Sequence, residues 1–292
     1  MDLVRRRAAA GGAEPATAAE PRVKARVIVY ALLTAYAVLS LYPFLLMVSG
    51  ALKDAAEIRL DGHLIPSDPT LSTLARTWNE LHFFTYFGNS LIVTGLTTVG
   101  VLVVYSLAGY AFAVLRFPGR RVLYGMFLAL LFVPGITMLL PVVILQQKLG
   151  LIGTFPGIIL PFVNGTAPLS IMLLTNSFRV VPAELKESAR CDGAGELRTF
   201  WSIYLPVGRP ALITIALLTA VPTWNEYVLT RVSLNNAAQY TLPLALQNLN
   251  SSTSPQENVL MAASLIIVIP VIILFVLLQR YFVNGLQGAV KG

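Results

Sequence analysis

One cysteine and two histidines in 292 residues leave little from which to build a metal or redox centre. Cys191 has no second thiol to pair with inside the chain, and His63 and His82 share one polar stretch without metal-ligand spacing. No phosphate loop of the Gly-x4-Gly-Lys-Ser/Thr type occurs, so ATP hydrolysis has no site in this chain. Charge is also scarce. Only 12% of residues are Asp, Glu, Lys or Arg, where a soluble domain carries about 25%. No cluster of nucleophile, base or metal ligands gathers at one depth, which argues against a membrane-embedded enzyme.

What fills the sequence is apolar: 56% of residues, gathered into uncharged runs. These cover Val27–Val48, Gly88–Leu115, Val122–Gln147, Leu149–Phe178, Pro210–Asn225 and Asn258–Gln279. A helix needs about 20 apolar residues to cross the hydrocarbon core. Five runs reach that length, and the run from Pro210 reaches it only with Glu226 at its far end. The expectation is an all-α polytopic membrane protein with six transmembrane helices in one domain, residues 27–283. A basic N-terminal segment, 1–26, and a tail, 284–292, flank it. Residues 8–21, rich in Ala, Gly, Glu and Pro, read as disordered. The first apolar run exceeds the 7–15 residues of a cleavable signal and reads as a retained anchor.

A net charge of +7 invites a nucleic-acid partner, but topology accounts for it better. With both termini cytoplasmic, segments 1–26, 116–121, 179–209 and 280–292 face inward. They hold 16 of the 21 Lys and Arg residues, the bias expected of inner loops. The first outer segment, 49–87, carries Lys53, Asp54, Glu57 and Arg76 and reads as a solvated cap. Pro134 and Pro141 in the third span, Pro161 and Pro168 in the fourth and Pro270 in the sixth are expected to kink their helices. Gly109 with Ala113 matches only a loose small-residue pattern, and nothing specific is read there. Glu226 is the one acid close to a span; it reads either as a functional group or as a wet helix end between interfacial Trp224 and Tyr227.

The most informative stretch lies between Arg179 and Arg209. Val181-Pro182 suits a helix start, Glu184 sits near the positive end of the helix dipole, and Glu187 pairs favourably with Arg190. Gly193 supplies a stop where a left-handed conformation is easy. Beyond it Ala194, Leu197, Trp201 and Leu205 recur on one face of a second helix, which Pro206 and Pro210 end. That apolar stripe is expected to lie on the bundle, with Glu184, Lys186, Glu187, Arg190 and Asp192 facing the cytoplasm. A helix resting on lipid headgroups would carry excess Lys and Arg; here acids and bases nearly balance, which favours a protein partner.

The pattern Glu187-Ser188-Ala189, three residues, Gly193, nine residues, Ile203-Tyr204-Leu205-Pro206 resembles the EAA loop of ABC-importer permeases. Ser188 stands where Ala is usual. Tyr42-Pro43-Phe44, Asn89-Ser90-Leu91, Leu149-Gly150-Leu151 and Trp224-Asn225-Glu226-Tyr227 extend the resemblance, as does the ending from Gln279 to Gly292. Together they cover residues from about 25 to 292 and are similar to the second, maltose-permease-like chain of carbohydrate importers. The resemblance implies a type I importer architecture in the cell membrane. Its partners would be an ATP-binding subunit dimer, a second permease chain and an extracytoplasmic solute-binding protein. ATP and Mg would be bound by the partner ATPase, with no cofactor in this chain. It further implies ATPase coupling through Glu184, Glu187, Ala189, Asp192, Gly193 and Pro206, and tail contacts from Gly288, Lys291 and Gly292. Asn225 and Glu226 are candidates for the substrate pathway. The alternative is a stand-alone secondary transporter or channel. Such proteins generally use buried carboxylates or His and internal repeats, and neither is evident here.

Overall fold

The computed structural model describes residues 20–60, 63–80, 82–250 and 256–290, and no strand occurs among them. Apolar runs of this length can satisfy their backbone in lipid only as helices. The chain opens with α1 (Glu20–Ala51), followed by the short α2 (Ala55–Leu60) and α3 (Ser72–Glu80) and the long α4 (Phe83–Val114). Next come α5 (Arg120–Ala129), α6 (Leu139–Lys148), α7 (Phe155–Gly165) and α8 (Ala167–Arg179). The loop region holds α9 (Ala183–Cys191), α10 (Glu196–Thr199), a π-helical turn at Phe200–Tyr204 and α11 (Leu205–Val207). The fold closes with α12 (Arg209–Trp224), α13 (Val228–Ser233), α14 (Leu242–Asn250) and α15 (Glu257–Val290).

Three unbroken helices are long and apolar enough to cross a bilayer: Arg26–Ala51, Phe83–Val114 and Glu257–Leu277. Three further pairs reach that length together but are bent, α5 with α6 by 100°, α7 with α8 by 49°, and the α10–α11 segment with α12 by 76°. Six crossings therefore require each bent pair to count as one.

The prolines act differently from the expected uniform kinks. At Pro134 the third span breaks outright. Val133, restricted by the ring that follows it, is extended at φ −87° and ψ 116°, so the helix stops and restarts in a new direction. Pro141 and Pro168 instead lie in the first turns of α6 and α8, where the missing N–H leaves no intrahelical bond unmade. Pro161 and Pro270 do sit inside α7 and α15.

The core is built around α4, which is packed by α8 on one side and α12 on another. Val101, Tyr105, Tyr110 and Phe112 of α4 are buried with Ile171, Leu174 and Phe178 of α8 and Ile215 of α12. Gly109 permits this contact: a β-carbon there would lie 2.5 Å from Leu174 Cβ. The position read as unspecific is thus where two helices touch, and any larger residue overpacks it. Towards the other end, Phe83, Trp224, Leu242, Ala263 and Ile267 form a second cluster.

The outer segment is less solvated than its composition suggests. Lys53 is 4% exposed, and its ammonium donates to the His63 carbonyl. Thr73 and Asn258 donate to the Lys53 carbonyl at 3.4 and 3.5 Å, so α3 and α15 close over it. Trp224 is likewise no interfacial anchor. It is buried, stacks edge-on against Phe87 at 5.8 Å and donates its indole N–H to the Ile267 carbonyl at 3.2 Å.

Candidate coupling site

The chain from Pro182 to Ala194 forms α9 and the tight turn that closes it, the first arm of a helical hairpin that α10 completes. Pro182 precedes α9 with φ −57°, already near the helical value, and Glu184 occupies the first turn. The far end closes in a Schellman motif. Gly193 takes φ +78°, its N–H donates to the Arg190 carbonyl at 3.0 Å, and the Ala194 N–H reaches back to Ala189 at 2.8 Å. A side chain at that φ costs about 1–2 kcal/mol, which is why glycine is required. Glu184, Glu187, Asp192 and Gly193 are all exposed, while Ala189 is half-buried on the inner side of the helix. Five of the six predicted coupling residues thus fall within one hairpin. Pro206 lies apart from it, exposed in α11.

The second helix turns a different face inward from the one its spacing suggests. Leu197 and Trp201, assigned to the bundle-facing stripe, are 65% and 57% exposed. Thr199, Phe200 and Tyr204 are buried instead. A π-helical turn brings Tyr204 round to the side of Phe200: Leu205 donates its N–H five residues back, to the Phe200 carbonyl. Pro206, having no N–H, cannot restore the regular ladder at the next step. Nor does Pro206 end the helix. Helical structure runs on through α11 and bends into α12 at Gly208.

Phe200 and Tyr204 enter an aromatic cluster that fastens this segment to α4 and α8. Tyr110 meets Phe200 at 5.4 Å and Tyr204 at 5.0 Å, and Phe178 meets the same two rings at 6.5 and 5.9 Å. Beside it lies a polar tether the sequence did not announce. The Tyr110 hydroxyl donates to Glu196 Oε2 at 2.5 Å, and Lys186 Nζ pairs with the same oxygen at 2.9 Å. Lys186 also lies 6.0 Å above the Tyr110 ring. Lys186 therefore turns towards the bundle, not to the cytoplasm as its place in the charged set implied. Glu196 stands in the loop, outside the unbroken spans. The Tyr110 hydrogen bond, aided by Lys186, holds its carboxyl below the usual range against the opposing effect of burial.

Glu226 caps a turn. Its Oε1 accepts the Leu229 N–H at 2.6 Å at the start of α13, and Asn225 donates its side-chain amide to the Val221 carbonyl at 2.9 Å. α15 continues as one helix through Gly288 to Val290, and Lys291 and Gly292 lie outside the described residues.

The bundle thus carries an exposed charged segment tied internally to its central helix through Tyr110, Glu196 and Lys186. The chain belongs to the binding-protein-dependent transport system inner membrane component family, matched over residues 105–288. It is a permease subunit of an ABC importer and a multi-pass membrane protein that works with partner subunits. It is 34% identical to the trehalose transport system permease protein SugB of Mycobacterium tuberculosis, over 86% of this chain and 92% of that one. It is 32% identical to the trehalose/maltose transport system permease protein MalG of Thermococcus litoralis, over 86% and 91%. Among solved structures it resembles a chain of a bacterial ABC transporter that imports the acidic polysaccharide alginate. There the TM-score is 0.83 at 27% identity, covering 92% of this chain and 100% of that one.

Proposed function

We propose that the hairpin around α9 seats in a cleft of an ATP-binding subunit and that its movement opens the pathway to a sugar or sugar-like solute. The solute is delivered by an extracytoplasmic binding protein, and a second permease chain completes the pathway across the cytoplasmic membrane. ATP and Mg are bound by the ATPase subunits. The observation that carries this reading is the hairpin's double character. Outwardly it offers the exposed acids Glu184, Glu187 and Asp192 and exposed Leu185, while inwardly it is fastened to α4 by Tyr110, Glu196 and Lys186. A push on the hairpin is thereby delivered to the centre of the bundle. The sugar assignment is supported by the substrates named for the similar permeases.

The chain contains its own probe. Cys191, its only thiol, ends α9 and is exposed. Maleimide labelling of Cys191 is expected to be fast in the permease alone and slowed about tenfold or more once the ATPase subunits assemble. Equal labelling rates in both states would place the docking site elsewhere.

In the same reading Asn225 and Glu226 border the solute pathway, and Gly288, Lys291 and Gly292 reach the ATPase subunits. Glu226→Gln keeps the oxygen that caps α13 and removes the charge. Uptake is expected to fall severalfold with insertion and assembly intact; uptake equal to wild type would confine Glu226 to capping.

A further inference from the structure

Four arginines converge where α4, α5 and α8 approach one another. Arg116 follows α4, Arg120 and Arg121 open α5, and Arg179 closes α8; all four line one cavity of about 670 Å³. The protein itself fixes two of them. Arg120 Nη1 donates to the Leu115 carbonyl at 2.8 Å, and the Arg179 guanidinium lies 5.4 Å above the Tyr124 ring. Arg116 and Arg121 are exposed, and no carboxylate pairs with any of the four among the described residues. Orienting a membrane protein requires only an excess of positive charge on one side. It does not require four guanidinium groups around one cavity, where they repel one another until an anion joins them.

The surroundings narrow the anion. Directly beyond Arg121, Val122, Leu123 and Met126 are 67%, 44% and 61% exposed on the first turns of α5. A cationic cup opening onto an apolar helix face fits a molecule that is anionic at one end and hydrocarbon at the other. We propose that the cavity binds the phosphate of an anionic phospholipid, with an acyl chain lying along Val122 and Met126. The inner leaflet follows from the orientation proposed above; the headgroup chemistry is independent of that orientation and of transport.

The test is native mass spectrometry of the full-length chain in detergent micelles doped with phosphatidylglycerol or with phosphatidylcholine. Wild-type chain is expected to retain phosphatidylglycerol selectively. The double variant R116Q/R121Q leaves the anchored Arg120 and Arg179 in place and should weaken retention by roughly ten- to thirtyfold. R116K/R121K, which keeps charge without the forked geometry, should fall between, and K148Q/R231Q, away from the cavity, should match wild type. Equal retention of the two lipids, or no loss in R116Q/R121Q, overturns the proposal. So does displacement of phosphatidylglycerol by inorganic phosphate at comparable concentration, which would make this a free-anion site. Exclusion of lipid from the assembled transporter, with position 121 crosslinking to an ATPase subunit, would likewise overturn it in favour of a protein contact.

Discussion

Gly193→Pro is expected to leave ATP hydrolysis running while solute uptake falls by more than an order of magnitude. Proline holds φ near −65°, and Gly193 sits at +78°, so the Schellman closure of α9 cannot form around it. The substitution also deletes the N–H that donates to Arg190 at 3.0 Å. The transmembrane helices are untouched, because a β-carbon at Gly193 would meet nothing within 4 Å. Insertion and bundle packing should survive, and only the orientation of α9 against its partner is lost. Gly193→Ala provides the graded control: an alanine in the left-handed region costs about 1–2 kcal/mol, a factor of roughly 5–30 in the population of the docked geometry. Glu187→Lys tests the same surface by charge, since Glu187 is exposed on α9. It should weaken ATPase assembly without changing insertion. The measurement is uptake and ATPase activity side by side in proteoliposomes of the assembled transporter. Wild-type uptake in both Gly193→Pro and Glu187→Lys would remove the hairpin from the coupling path.

The hairpin is legible in the sequence because its determinants are local. Pro182 before a run of good helix formers, an acid in the first turn and a glycine one helix-length later need no tertiary contact to be read. The long spacing to Ile203-Tyr204-Leu205-Pro206 likewise belongs to the chain alone. The helix beyond Gly193 misleads because periodicity assumes a regular helix. Leu197 and Trp201 keep regular 3.6-residue spacing, but the π-turn at Phe200–Tyr204 changes the angular step and brings Tyr204 round to the side of Phe200. No composition rule signals such a turn; Pro206, two residues beyond its last residue, is the available hint. Other failures come from contacts distant in sequence. Tyr110 lies 86 residues before the Glu196 it bonds, and the carbonyl of Lys53 is capped by Asn258, 205 residues on. A lysine in a polar loop reads as solvated until the elements that close over it are placed. Trp224 reads as interfacial for the same reason: the α15 carbonyl that satisfies its indole is 43 residues away.

Glu196→Lys is the second substitution expected to have a large effect, because it strikes the tether itself. The new ammonium meets Lys186, which now sits 2.9 Å from the carboxylate oxygen, and the acceptor of the Tyr110 hydroxyl disappears. A hydrogen bond to a charged group contributes about 1.5–3 kcal/mol. The ion pair adds less, about 0–1 kcal/mol, because the Glu196 side chain is 45% exposed and water screens it. Losing both and gaining a like-charge contact should lower coupled uptake about tenfold or more. The fold should hold, since Phe200 and Tyr204 remain packed against Tyr110 and Phe178. Tyr110→Phe separates the parts: it keeps the ring contacts, removes the hydroxyl and should produce a smaller loss of the same kind. The charge exchange Lys186→Glu with Glu196→Lys restores an ion pair in the same place and should recover part of the uptake lost in Glu196→Lys. Recovery is the informative readout. Damage from a misfolded loop would deepen with a second substitution, whereas loss of a tether is repaired by rebuilding it. Failure of the exchange to recover any uptake, in protein that inserts and assembles normally, would leave the aromatic cluster as the mechanical link and reduce the Tyr110–Glu196–Lys186 contact to local packing.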